Sequence, residues 1–104
     1  MKEVTVQELK AMRDNNTPHQ LIDVREQHEV DAANIGGEHI PMGLVMQSMD
    51  SISHDVPVII HCRSGARSAQ VVAALEQRGF ANVANLKGGI MAWSKEIDTS
   101  ITVA

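Results

Sequence analysis

The chain of 104 residues has a single cysteine, no excess of positive charge and no long apolar run. Each shortage removes a class of function. One cysteine excludes an internal disulfide, and it points to a reducing compartment, because small secreted domains usually pair their cysteines. Nine Lys and Arg against 13 Asp and Glu give a net charge of −4, which argues against a general affinity for nucleic acid or anionic membrane. Nothing approaches the ~20 consecutive apolar residues of a membrane span. The opening stretch MKEVTVQELKAM carries acids and lacks the apolar centre of a signal peptide. Repeats, linkers and low-complexity tracts are also missing. The five histidines form no metal-ligand cluster with one another or with Cys62, so neither a metal nor another cofactor is expected. These readings predict one cytoplasmic domain over residues 1–104, with no membrane or nucleic-acid partner. A hydrophobic fraction of 43% is that of a globular chain.

What is present alternates between strand and helix signals. EVTV reads as a short strand. Thr5 and Glu8 have the spacing of a capping box, with VQELKAMRD as the helix behind them. Gln20–Val24 (QLIDV) reads as a buried strand and REQHEVDAA as a helix. A brief strand is expected at His39-Ile40. Met42, Val45, Met46, Met49 and Ile52 have helical spacing and read as core packing. VPVIIH is the clearest buried strand. ARSAQVVAALEQR is a strong helix former, closed by Gly79. NVANL is a further strand and IMAWSKEI a last helix, which Trp93 should pack onto the sheet. Continuous apolar strands alternating with helices imply an α/β fold with a parallel sheet covered on both faces. Ligands in such folds bind at the carboxyl ends of strands, where an open mouth is expected.

HCRSGARS (His61–Ser68) lies at such an end, between the best strand and the best helix, and holds the only cysteine. Gly65 permits a tight turn. Successive backbone N–H groups can converge there on one anion, the following helix adds positive potential, and Arg63 and Arg67 add full charges. A thiolate at Cys62 would be stabilised by all of them.

The loop CRSGARS resembles the active-site pattern C-x-x-G-x-R-S of the rhodanese sulfurtransferases. LIDVRE (Leu21–Glu26) is similar to an early strand motif of that family, and NVANLKGGIMAWSKEID (Asn82–Asp98) to its closing motif. The three occur in the family's order over nearly the whole chain. The resemblance implies a central five-stranded parallel sheet flanked by helices, with Cys62 as sulfur carrier. NIGGEHIPMG (Asn34–Gly43) departs from the commoner G-H-I-x-G-A and resembles the rhodanese domains fused to E1-like adenylyltransferases. Cysteine phosphatases use H-C-x5-R, and the related Cdc25-like phosphatases and arsenate reductases share the rhodanese fold; that pattern would place arginine at position 68. That position is Ser68, and the arginine arrives at 67. The loop is one residue too short for phosphate.

The expected chemistry is double displacement. Cys62 takes sulfane sulfur from thiosulfate or a persulfide, held by the N–H groups of Arg63, Ser64, Gly65, Ala66 and Arg67. It passes the sulfur to cyanide in vitro or to a thiol or protein, thioredoxin-like or a sulfur carrier, in the cell. The alternatives are a non-catalytic sulfur-binding or regulatory rhodanese module and, behind it, a Cdc25-like phosphatase or arsenate reductase. Arg63 is placed to hold a donor's sulfonate. Arg67 either braces the loop or meets substrate, and Ser68 either hydrogen-bonds the sulfur or caps the helix. His61 should point away from Cys62, and Asp23 and Arg25 should form a buried structural pair. A monomer or weak dimer is expected.

Overall fold

The structure, a computed structural model, describes residues 1–103, so the last residue of the expected domain, Ala104, lies outside it. Five parallel strands form one sheet: β1 (Glu3–Val4), β2 (Gln20–Asp23), β3 (Glu38–His39), β4 (Val58–His61) and β5 (Val83–Leu86), in the order β1-β5-β4-β2-β3. Helices α1 (Val6–Asp14), α2 (Gln27–Ala32), α3 (Ala66–Gln77) and α4 (Gly89–Glu96) connect or follow them. The α/β architecture expected from the alternation is the one found. Among the described residues no helix is long and apolar enough to cross a membrane.

β4 runs between β2 and β5, with Ile59 opposite both Leu21 and Ala84. All four of its residues are buried, because helices cover both of its faces. Side chains alternate across it. Val58, Ile60 and Cys62 join Ile22, Val24, Val71, Val72 and Leu75 in one core. Ile59 joins Leu21, Leu86, Leu9, Ile90 and Trp93 in the other. Each fully buried aliphatic side chain contributes about 1.5–3 kcal/mol. Trp93, 6% exposed, packs α4 onto the sheet as expected.

Thr5 caps α1 with the reciprocal bonds of a capping box, its hydroxyl accepting from the Glu8 N–H while Glu8 accepts from the Thr5 N–H. Several boundaries move. Arg25 and Glu26 precede α2, because the Arg25 side chain is engaged with Asp23 and Glu26 takes the N-cap. β3 falls one residue earlier than expected, and β4 starts at Val58, after Pro57.

The larger correction concerns residues 42–52, where a helix was expected. Two 3-10 segments, Met42–Leu44 and Met46–Ser51, stand there, bent at Ser48 (φ −113°, ψ 15°). The apolar positions explain it: 42 and 45, then 46, 49 and 52, are spaced by three, the residues per turn of a 3-10 helix. Val45 and Ile52 are buried, and Met42, Met46 and Met49 are partly buried against the same core.

Candidate active site

The loop after β4 is shaped by α4. The Ile90 N–H donates to Cys62 O at 3.0 Å and the Met91 N–H to Arg63 O at 3.0 Å. This contact needs Gly89: a Cβ there would lie 2.5 Å from both carbonyl oxygens, and φ is +59°. With these carbonyls turned to α4, loop amides are left to face the sulfur. The Gly65 N–H donates to Cys62 Sγ at 3.1 Å and the Ser68 N–H at 3.4 Å, and Ser68 Oγ lies 3.3 Å from it. Gly65, at φ +108°, turns the chain into α3.

Cys62 is only 1% exposed. The sulfur thus lies beneath the loop surface at the strand ends, where an open mouth was expected. A cleft of about 500 Å³ lies beside the loop, lined by Ser64, Gly65, Asn85, Lys87 and Gly88 among others, and Cys62 does not line it. Burial alone pushes the Cys62 thiol up. The Ser68 hydroxyl and the N–H groups of Ser68, Gly65 and Ser64 outweigh it, and the net shift is downward.

Arg67 makes a two-point pair with Glu29 of α2, at 2.7 and 2.9 Å. Its guanidinium ties α3 to α2. The Arg67 bond holds the Glu29 carboxyl down to about 2. Arg63, Ser64 and Ala66 are exposed at the loop surface. Ser68 is buried and turned to the sulfur; its side chain makes no capping bond to α3.

His61 lies on the opposite face of β4 from Cys62, as alternation requires. Its Nε2 is 3.6 Å from Asp23 Oδ2 and its Nδ1 is 3.3 Å from Cys62 O. Burial pushes His61 down, more than Asp23 pulls it up, so the ring is neutral. Asp23 and Arg25 are each 1% exposed and meet at 2.8 Å, with Arg25 also donating to Ala33 O at 2.6 Å. Burial pushes Asp23 up, but the Arg25 hydrogen bonds and neighbouring charges prevail and its pKa falls.

Two residues of the site escaped the sequence reading. Asn85, 4% exposed in β5, donates from Nδ2 to Gly65 O at 3.1 Å, and its Oδ1 lies 2.5 Å from Ser68 Oγ. Its signal was a polar residue within a strand that is otherwise apolar, where a buried amide needs partners. Glu29 gave no signal beyond its place in the first turn of α2. Among the described residues no group of three or more His, Cys, Asp or Glu could hold a metal.

The Rhodanese-like domain profile matches residues 5–96. The chain belongs to the rhodanese-like family. Among relatives of this rhodanese-like domain, the putative sulfurtransferase YtwF of Bacillus subtilis is 38% identical over 97 residues, covering 92% of this chain and 93% of that protein. The probable adenylyltransferase/sulfurtransferase MoeZ of Mycobacterium tuberculosis is 32% identical over 103 residues, covering 96% of this chain and 26% of that protein. The chain thus spans about a quarter of the adenylyltransferase-sulfurtransferases it matches. The crystal structure of a rhodanese-like domain protein from Staphylococcus aureus superposes with a TM-score of 0.85 at 35% identity, covering 93% of this chain and 95% of that one. Both expected resemblances, to rhodaneses and to adenylyltransferase-fused domains, are met.

Proposed function

We propose that this rhodanese-like domain transfers sulfane sulfur through a Cys62 persulfide. Sulfur transfer in general is supported by the family and by its sulfurtransferase-named relatives. One observation supports this role for Cys62 most directly: a buried cysteine sulfur with the Gly65 and Ser68 N–H donors aimed at it. Donors of this kind stabilise a thiolate and, one atom further out, a persulfide.

In the first half-reaction the Cys62 thiolate attacks the outer sulfur of thiosulfate. A new S–S bond forms, the S–S bond of thiosulfate breaks, and sulfite leaves with the bonding electron pair. In the second, a nucleophilic acceptor takes the outer sulfur, the persulfide bond breaks, and the Cys62 thiolate returns. Arg63, exposed on the loop, holds the sulfonate of the donor. The acceptor is cyanide in vitro and a thiol or protein in the cell. The protein acceptor is a thioredoxin-like dithiol or a dedicated sulfur-carrier protein; for the carrier, residues 36–49 would be the docking segment, and Leu44, 48% exposed, lies within it.

Mass spectrometry after thiosulfate treatment tests this reading. One added sulfur, removable by dithiothreitol and absent in Cys62→Ser, is expected, together with thiocyanate production that Cys62→Ser abolishes. Thiocyanate formation surviving the substitution would overturn the role of Cys62. Loading without turnover toward any acceptor would make the domain a sulfur-binding module. Robust aryl-phosphate hydrolysis would overturn the argument from loop length.

A further inference from the structure

We propose that Asn85 is a positioning residue for the Cys62 sulfur: it draws the Ser68 hydroxyl proton to itself while the sulfur is uncharged and gives it up when the sulfur ionises. The inference rests on the reading of Cys62 as sulfur carrier and adds to it a residue on another strand.

The hydrogen-bond directions are fixed by chemistry. Gly65 O only accepts, so the Asn85 atom 3.1 Å from it is the amino nitrogen. The other end of the amide, 2.5 Å from Ser68 Oγ, is then its carbonyl oxygen, and the Ser68 hydroxyl donates to it. Ser68 Oγ is also 3.3 Å from Cys62 Sγ. A hydroxyl has one proton and cannot serve both neighbours. With Cys62 as thiol there is no conflict: S–H donates to Ser68 Oγ, and Ser68 donates to Asn85. A thiolate only accepts. The hydroxyl must then turn to the sulfur, and the buried Asn85 carbonyl loses its donor, which costs free energy. In a persulfide the inner sulfur is neutral again and the charge is on the outer atom, so the hydroxyl returns to Asn85. Asn85 therefore favours the thiol and the loaded persulfide over the bare thiolate. Its amino group does separate work, fixing Gly65 so that the Gly65 N–H meets the sulfur.

The test is a thiolate titration, which requires no sulfur donor and therefore stands apart from the question of activity. Cys62 is the only cysteine, so ultraviolet thiolate absorbance and iodoacetamide alkylation rates against pH report it alone. Four proteins are compared: wild type, Asn85→Ala, Ser68→Ala and the double variant. The charged groups around the loop and its cleft, Arg63, Arg67 with Glu29, Lys87, Glu3, the Met1 amine and the Asp23–Arg25 pair beyond His61, are the same in all four. Removing Asn85 should lower the Cys62 midpoint by about half a pH unit more when Ser68 is present than in the Ser68→Ala background. Equal shifts in both backgrounds would reduce Asn85 to a brace for Gly65 and overturn the proposal. Asn85→Leu, larger and without an acceptor, is carried alongside in case the alanine variant leaves a cavity that unfolds the chain. In the unmutated protein, the Asn85 side-chain amide resonances should titrate with the Cys62 midpoint. Resonances that stay fixed through the thiolate transition would also overturn it.

Discussion

On one side of the end of β4, the Asp23 carboxylate meets the Arg25 guanidinium at 2.8 Å beside a neutral His61. On the other side, one residue further on, Cys62 Sγ is met by the Gly65 and Ser68 amides and the Ser68 hydroxyl. Both sites are nearly closed to solvent. The first holds a charge that is always present, and it is neutralised by a permanent opposite charge. The second suits a charge that appears and disappears during a reaction cycle. A fixed cation paired with that sulfur would resist every step that discharges it, whereas dipoles support the charge and tolerate its loss. Arg67, five residues beyond Cys62, is engaged by Glu29.

The largest effect separating the two sides should come from Asp23→Asn. It keeps the shape but leaves Arg25 charged, buried and unpaired, which costs about 3–5 kcal/mol. Chemical denaturation should register this loss while the Cys62 thiolate midpoint stays in place; a displaced midpoint would join the two sides into one network. Gly89→Ala should do the reverse. Its Cβ would displace the Cys62 and Arg63 carbonyls, and a misplaced loop should lower the transfer rate by about 10²-fold, with a smaller loss of melting temperature than Asp23→Asn. Arg63→Ala should raise the apparent KM for thiosulfate by about one to two decades, from a charge-assisted contact of ~1.5–3 kcal/mol. An uncharged persulfide donor should be affected less, and equal losses would mean that Arg63 shapes the loop. The smallest effect concerns Glu29. Its carboxyl falls from 4.5 to about 2 in the folded chain, chiefly through Arg67. The pair's contribution is therefore complete above about pH 4.5 and fades as pH falls toward 2. The exposure of its surroundings keeps it to about 1 kcal/mol or less. Denaturant midpoints measured between pH 5 and 2 should fall less steeply for Glu29→Gln than for wild type.

Much of this was legible in the chain because local and global signals agreed. The run Val58–Ile60 declared a doubly covered strand, Thr5 and Glu8 declared a helix start, and Asp23 and Arg25, two apart on one face, declared their pairing. Residues 42–52 misled because a three-residue and a 3.6-residue period are hard to distinguish over so few turns. The site was legible where its parts are neighbours in sequence, from His61 to Ser68. It was not legible where they meet only through the fold. Glu29 reaches Arg67 across 38 positions and Asn85 reaches Ser68 across 17, and neither span carries a spacing rule. The burial of Cys62 was missed for the same reason, since α4 supplies the contacts that shape the loop.

That burial, combined with the lack of any second cysteine in these 104 residues, has a consequence for kinetics. On the proposed reading, a sulfur loaded on Cys62 would find no second thiol among these residues to hop to. Its departure would need a nucleophile from outside them, with a rate that grows with acceptor until a complex saturates. The lifetime of the loaded state is then set from outside, by the abundance of whatever arrives end-on with a nucleophile narrow enough to reach the outer sulfur.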